Sequence, residues 1–353
     1  MSDDLEHIIV INPGAFDAAA YEPFKSLPFV GSLTIIQGDG YGGRSKAVRE
    51  VSAEEWAKAT VLLTGTVLPP SPEAAPKLKY IQLFSAGSNV IVKKPFFQAE
   101  NKVIYATASG VHGPVIAEYV ILMMLTHFHQ SLNYPVWQEQ KIWGDDSIFP
   151  RRVIDQWGKT MGIFGYGAIG RQTARIAKSL GMKIVAYSFS NPPKKERVEI
   201  AVPGSGDPDG SIPDKWISGL ENMDEFFSSH IDVLVISAPL TPETTKVINK
   251  KTLQMLKGAY IINIARGGLV DTDDLIEAAE SGLIDGAALD VTDPEPLPQG
   301  HKLFSVKNIM VTPHLSGHVD AYEERVTNIA VHNIKQIREG KPVTNWLDKS
   351  KGY

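Results

Sequence analysis

Short apolar runs punctuate the first third of the chain. His7–Asn12, Leu33–Gln37, Val61–Thr64 and Tyr80–Phe84 are continuous rather than alternating, the pattern of strands covered on both faces. Helical or polar stretches separate them, which predicts an α/β layer structure. Gly113–Leu132 reads as one long helix, with Pro114 suited to its first turn and a broad apolar face that predicts burial. A loop-rich stretch, Asn133–Lys159, follows and carries Trp137, Trp143, Trp157 and the pair Arg151-Arg152. Strands resume at Met161–Phe164, Lys183–Tyr187, Val233–Ser237, Ala259–Ile264, Gly286–Asp290 and Ile309–Thr312. Asn191–Gly219 is rich in Pro, Gly, Ser and Asp and reads as an irregular surface insertion. No internal repeat is visible.

A length of 353 residues is too great for one core and favours two domains. The formal net charge of −5 argues against a nucleic-acid backbone as partner, so any anion site must be local. The absence of cysteine excludes disulfides, thiolate metal sites and a cysteine nucleophile, and fits a reducing, cytoplasmic setting. The acidic start, Met1-Ser2-Asp3-Asp4, lacks an apolar signal core. The longest apolar stretch, Pro114–Leu125, contains Glu118 and is too short to span a bilayer. His127 and His129 are two apart on a predicted helix and do not share a face, so no metal is expected.

Gly165-Tyr166-Gly167-Ala168-Ile169-Gly170 fits G-x-G-x-x-G. The pattern alone is weak. Here it follows the strand Met161–Phe164 and opens a helix, Ala168–Leu180, that Gly181 closes; that order marks a dinucleotide site. Gly165 suits the tight turn, Gly167 the approach of a pyrophosphate to backbone N–H groups, and Gly170 close helix packing. The strand Lys183–Tyr187 should end at the adenosine ribose, where NAD enzymes usually place an acid. This chain has Ser188, Phe189 and Ser190 there, with Lys194, Lys195 and Arg197 beyond and no acid before Glu196. Hydroxyls and cations accept a 2′-phosphate that an acid would repel, so NADP(H) is favoured and NAD(H) stays open. Gly38–Ser45 resembles a P-loop, but Arg44 stands where lysine is required, and it reads as a plain loop.

Three later strands each lead to a reactive side chain. Ala259–Ile264 runs into Ala265-Arg266-Gly267-Gly268, Gly286–Asp290 leads to Glu295, and Ile309–Thr312 ends at Pro313-His314. Ligands of open parallel sheets bind beyond the carboxyl ends of the strands, so these groups are expected near the glycine loop. Arg266 offers a planar fork for a carboxylate or carbonyl. His314 can exchange a proton with a keto or hydroxyl oxygen. Glu295 can hold the imidazole and stabilise its protonated form. The two glycines after Arg266 suggest close approach of substrate or cofactor to the backbone.

Asn263-Ile264-Ala265-Arg266-Gly267-Gly268-Leu269-Val270-Asp271 resembles the arginine signature of the D-isomer-specific 2-hydroxyacid dehydrogenases. Ala288–Val291 through Glu295-Pro296-Leu297-Pro298 resembles their glutamate motif, Thr312-Pro313-His314-Leu315-Ser316-Gly317 their histidine motif, and Gly162–Gly170 their cofactor loop. The resemblance implies a Rossmann coenzyme domain (110–317) inserted into a flavodoxin-like substrate domain (1–109 and 318–353). It implies Arg266 as a substrate ligand, His314 as the acid/base and Glu295 as its partner. Leu83–Ser88 becomes the substrate-carboxylate loop, with Ser85, Ala86, Gly87 and Ser88 offering backbone amides. Ala238, Pro239, Ile264, Ala265 and Gly317 then line the cofactor, and Asp290 lies near the nicotinamide amide. The implied reaction moves a hydride between the coenzyme and a small 2-keto or 2-hydroxy acid, with glyoxylate or hydroxypyruvate favoured, in a homodimer built on the coenzyme domain and its long helix.

Departures from the family pattern are His112, where relatives often carry asparagine, Asn89 where many have aspartate, and a long 191–219 segment. Glu295 rather than glutamine argues against formate as substrate. A dinucleotide-sensing corepressor on the same fold is the rival from another class, though the long tail it would use is missing. A short-chain dehydrogenase would need Tyr-x-x-x-Lys after the glycine loop, and Tyr21 and Lys25 precede it.

Overall fold

The continuous apolar runs become interior strands of two parallel sheets in a computed structural model, which describes residues 5–12, 18–37, 49–88, 90–143, 152–189 and 200–349. By density of contacts the chain divides into two units. One comprises Met1–Val111, Arg197–Pro203 and Val319–Tyr353, the other His112–Glu196 and Gly204–His318.

The first unit holds β1 (Glu6–Asn12), β2 (Val30–Gln37), β3 (Val61–Thr64), β4 (Tyr80–Leu83) and β5 (Ile104–Ala106), with helices α1 (Glu22–Lys25), α2 (Ala53–Lys58), α3 (Pro95–Gln98) and α10 (Tyr322–Arg338). The sheet order β2-β1-β3-β4-β5 is the flavodoxin-like one. Side chains of β1 alternate between two cores. Ile8 and Val10 meet Val326, Ile329 and Ile334 of α10, while Ile9 and Ile11 meet Trp56, Phe96 and Phe97. That two-sided burial is why the strand reads as an unbroken apolar run. α2 starts where Ser52 accepts from Glu55 N–H and Glu55 accepts from Ser52 N–H, a reciprocal cap.

The second unit holds β6 (Thr160–Phe164), β7 (Lys183–Ser188), β8 (Lys215–Ser218), β9 (Val233–Ile236), β10 (Tyr260–Asn263), β11 (Gly286–Leu289) and β12 (Ile309–Val311). Its helices are α4 (Gly113–Phe128), α5 (Asn133–Glu139), α6 (Ala168–Ser179), α7 (Met223–Phe227), α8 (Lys250–Met255) and α9 (Thr272–Glu280). Read from β8, the order β8-β7-β6-β9-β10-β11-β12 is the Rossmann series 3-2-1-4-5-6 with one further strand. α4 and α6 cover one face through Val120, Met124, Ala174 and Ala177, packed on Met161, Ile163 and Val235. Phe226, Leu253 and Leu275 of α7, α8 and α9 cover the other, on Phe164, Leu234 and Ile236.

Two stretches differ from the sequence expectation. The helix expected to reach Leu132 ends at Phe128; Gln130 turns to φ +56°, and the separate short α5 occupies part of the expected loop. The 191–219 stretch contains a strand, β8, which pairs in parallel with β7 from Val185–Lys215 to Ser188–Ser218. Only Ile217 of β8 is fully buried, so no apolar run announces it.

Candidate active site

The turn from β6 into α6 is shaped by its glycines. Gly165 has φ +100°, and a Cβ there would stand 2.6 Å from the Ala238 backbone nitrogen, so no side chain fits. A Cβ on Gly170 would stand 2.6 Å from the Gly165 carbonyl, which accounts for the close helix packing expected of it. Gly167 begins α6 in an extended conformation and offers no side-chain cap. The first N–H groups of the helix therefore suit an anionic ligand, as a pyrophosphate site requires. Ala168 and Ile169 are half-buried in that first turn, and the buried Ala238 and exposed Pro239 follow β9 beside it. Ile264 and Ala265 are buried after β10. Tyr166 is buried, and its hydroxyl donates to Asp207 Oδ2 at 2.9 Å; burial, then Asp207, pushes its ionisation far above the usual range. Ser188 ends β7, half-buried. Ser190, Lys194, Lys195 and Arg197 lie outside the described residues, as do Asn89 and Gly38–Ser45.

Arg266, Glu295 and His314 follow three neighbouring strands, β10, β11 and β12. His314 Nδ1 and Glu295 Oε1 are 2.7 Å apart, a hydrogen bond that becomes an ion pair when the imidazole is protonated. Both side chains are about half exposed, open to a ligand. With Nδ1 turned to the carboxylate, Nε2 is the ring nitrogen that can face a substrate oxygen. Arg266 is exposed, and its Nη1 donates to the Ala265 carbonyl at 2.6 Å. Asn263 fixes the start of that loop, donating to the Arg266 carbonyl at 2.9 Å and accepting from Ala265 N–H at 3.1 Å.

The glycines after Arg266 also answer to packing within the chain. A Cβ on Gly267 would stand 2.0 Å from the Thr292 carbonyl carbon, and one on Gly268 would stand 3.1 Å from Leu240 Cδ2. Gly267 thus lets the arginine loop close onto the loop that leads to Glu295. Asp290 is 1% exposed. Its carboxylate accepts from Thr312 Oγ1, Leu315 N–H and Ser316 N–H at 2.7, 2.9 and 3.1 Å. Gly317 lies against the His112 ring, where a Cβ would stand 3.0 Å from Cδ2; His112 itself makes no side-chain cap to α4.

In the first unit, Phe84 to Ser88 leave β4 as a turn. Ser85 Oγ donates to the Gly87 carbonyl at 2.5 Å, Ala86 and Gly87 are exposed, and Ser88 is buried with its carbonyl accepting from Ile91 N–H at 2.9 Å. Tyr322 at the start of α10 donates its hydroxyl to the Phe84 carbonyl.

Several residues escaped the sequence reading. Asp207 accepts from Ser211 N–H, Ile212 N–H and Tyr166, and Arg171, fully buried, donates to its carbonyl. Gln172 and Arg175 of α6 hold Gly206 at 2.6 Å each. The 204–214 stretch therefore clasps the helix that opens at the glycine loop. Tyr119 bonds Thr312 at 2.7 Å. The apolar periodicity of α4 marks Tyr119 only as core, and a loop composition hides Asp207. His127 bonds Asp285 at 2.8 Å and stacks on Tyr260. No helix among the described residues is long and apolar enough to cross a membrane.

Comparison with known proteins finds a match to the model of the D-isomer specific 2-hydroxyacid dehydrogenase, NAD binding domain, over residues 121–207 and 210–316. A hydroxypyruvate reductase of Blautia hydrogenotrophica is 30% identical over 282 residues, 77% of this chain and 79% of that one. A glyoxylate reductase of Thermofilum pendens is 31% identical over 286 residues, 79% of this chain and 78% of that one. Among solved structures, an NADPH-dependent glyoxylate/hydroxypyruvate reductase from Sinorhizobium meliloti, in complex with NADP and sulfate, superposes with a TM-score of 0.70 at 22% identity, covering 99% of this chain and 100% of that one.

Proposed function

Because the chain belongs to the D-isomer-specific 2-hydroxyacid dehydrogenase family, an NAD(P)-dependent oxidoreductase family, we propose that it reduces small 2-keto acids with NADP(H) preferred, glyoxylate and hydroxypyruvate foremost. The observation that carries this reading is the 2.7 Å pairing of His314 with Glu295 beyond β12, two strands from Arg266. The residues around the β6–α6 turn fit a dinucleotide: an uncapped helix start at Gly167, a turn at Gly165 that admits no side chain, and Ser188 at the end of β7. A nicotinamide coenzyme held there supplies the hydride for the keto carbon.

The chain's own groups supply the rest. His314 gives its Nε2 proton to the keto oxygen as the alkoxide develops, and takes it back in the reverse direction. Glu295 fixes the ring through Nδ1 and stabilises the charge that His314 carries beforehand. The Arg266 fork pairs with the substrate carboxylate or polarised carbonyl. The Ser85–Ser88 amides are assigned to the carboxylate, in a substrate domain formed by 1–109 and 318–353, with the coenzyme domain formed by 110–317. Ser188, in place of an acid, supports NADP(H). Asp290 is assigned near the nicotinamide amide, and its carboxylate also holds the loop of His314.

The protein is assigned as a cytoplasmic homodimer. Leu122, Leu132, Val136, Trp143 and Trp157 are exposed on the coenzyme unit, Trp143 at 97%. Such apolar exposure marks a protein surface that is covered in use.

A screen of glyoxylate, hydroxypyruvate and branched or aryl 2-keto acids, each with NADPH and NADH and followed by nicotinamide absorbance, tests the reading. Consumption of NADPH with the two small acids supports it. Exclusive use of NADH refutes the coenzyme preference, and inactivity with every 2-keto acid refutes the reaction.

A further inference from the structure

The long helix α4 is hydrogen-bonded to the start of the histidine loop through a tyrosine hydroxyl. Tyr119 is buried, its ring in the core that α4 and α6 share with β6. Its Oη lies 2.7 Å from Thr312 Oγ1, which lies 2.7 Å from Asp290 Oδ1. Proton accounting sets the direction of this chain. A threonine hydroxyl has one proton. The Asp290 carboxylate has none to give, so Thr312 donates to it. Tyr119 must then donate to Thr312. Burial, which pushes the Tyr119 phenol up to about 12, keeps that proton in place near neutrality.

Asp290 gathers more than this one bond. Its carboxylate accepts from Leu315 N–H at 2.9 Å and Ser316 N–H at 3.1 Å, and its backbone carbonyl accepts from His314 N–H at 2.9 Å. These partners bracket His314 from both sides. His314 itself has φ +52°, the left-handed region that L-residues rarely adopt. The histidine keeps that conformation because the residues around it are tied to Asp290.

We propose that Tyr119 is a positioning residue for His314, acting from α4 through Thr312 and Asp290 on the loop that presents the imidazole. The proposal rests on the reading of His314 as the proton donor. Removing the Tyr119 hydroxyl empties the acceptor side of Thr312 and frees that hydroxyl to turn away from Asp290. A loosened loop presents the imidazole in its reactive position for less of the time. The loss falls on kcat, because the hydroxyl that is lost bonds Thr312 rather than a ligand.

Four variants test this: Tyr119→Phe, Thr312→Val, Thr312→Ser and the double variant Tyr119→Phe with Thr312→Val. Each is assayed for kcat and KM with hydroxypyruvate and NADPH, and for amide hydrogen exchange across 312–317. Tyr119→Phe should lower kcat about fivefold, the worth of one hydrogen bond, with both KM values kept. Thr312→Val should lose more, Thr312→Ser should restore most of it, and exchange across 312–317 should quicken in both lossy single variants. The double variant should match Thr312→Val alone, because the Tyr119 hydroxyl acts on the loop through Thr312. Losses that multiply in the double variant, or unchanged exchange in Tyr119→Phe, overturn the proposal. If the wild-type protein turns over no 2-keto acid, the functional reading fails, and the exchange pattern of the four variants alone decides whether Tyr119 holds the loop.

Discussion

Glu323, in the first turn of α10, is 3% exposed, and its Oε1 has no hydrogen-bond partner among the described residues. Tyr21 Oη and Thr327 Oγ1 are unpartnered in the same way. Burial pushes the Glu323 carboxyl up to about 7. The folded form thus holds a proton where the unfolded chain, near 4.5, has already released it. The resulting contribution to stability is complete below pH 4.5, falls between 4.5 and 7, and is gone above 7. Glu323→Gln should therefore be more stable than wild type at pH 8, by up to about 3 kcal/mol, and about equal to it at pH 4. Urea melts at the two pH values check this; an equal difference at both would contradict it. The other residue that decides something is Ser188. Ser188→Asp should move preference toward NADH by at least about tenfold in kcat/KM, by repelling a 2′-phosphate; an unchanged NADPH/NADH ratio would remove this position from coenzyme choice. At this scale the sequence was most legible where chemistry sits in a motif. Arg266, Glu295 and His314 were readable as reactive groups following strands. Tyr119, Asp207 and Glu323 were not, because hydroxyl and carboxyl groups inside apolar or loop segments carry no periodic signal.

Elements were legible in proportion to their burial. β3, β6, β9 and β10 are buried almost throughout and stand out as apolar runs. β5 has three residues and β8 one fully buried position, so neither reaches the length or pattern that pattern-reading needs. The stretch before β8 shows what loop composition conceals. Asp207 ties together Tyr166 of the glycine turn and the backbone of 211 and 212, while Arg171, Gln172 and Arg175 grip the same stretch from α6. Polar side chains do here what an apolar helix face would otherwise do. Asp207→Asn should cost about 1–2 kcal/mol in stability, by weakening charge-assisted bonds, and raise the KM for coenzyme while sparing kcat. A kcat loss with coenzyme KM unchanged would place the clasp's influence elsewhere.

On the scale of the whole molecule, each of the two units has its own parallel sheet and its own cores. Strand succession made the α/β class readable, but strand order came only with the structure, since adjacency in a parallel sheet leaves no mark on local sequence. The exposed apolar side chains from Leu122 to Trp157 bear on assembly. Leu122→Lys combined with Val136→Glu should turn the proposed dimer into monomers in sedimentation velocity; a wild-type protein that sediments as a monomer would contradict the assignment. Proton transfer in the proposed reaction depends on the imidazole beyond β12. Single-turnover oxidation of bound NADPH by hydroxypyruvate, compared in wild type and His314→Gln, tests it most directly. The hydride-transfer rate should fall at least about a hundredfold, the scale of general acid catalysis, with coenzyme affinity retained. A rate within a few-fold of wild type would show that His314 is not the proton donor.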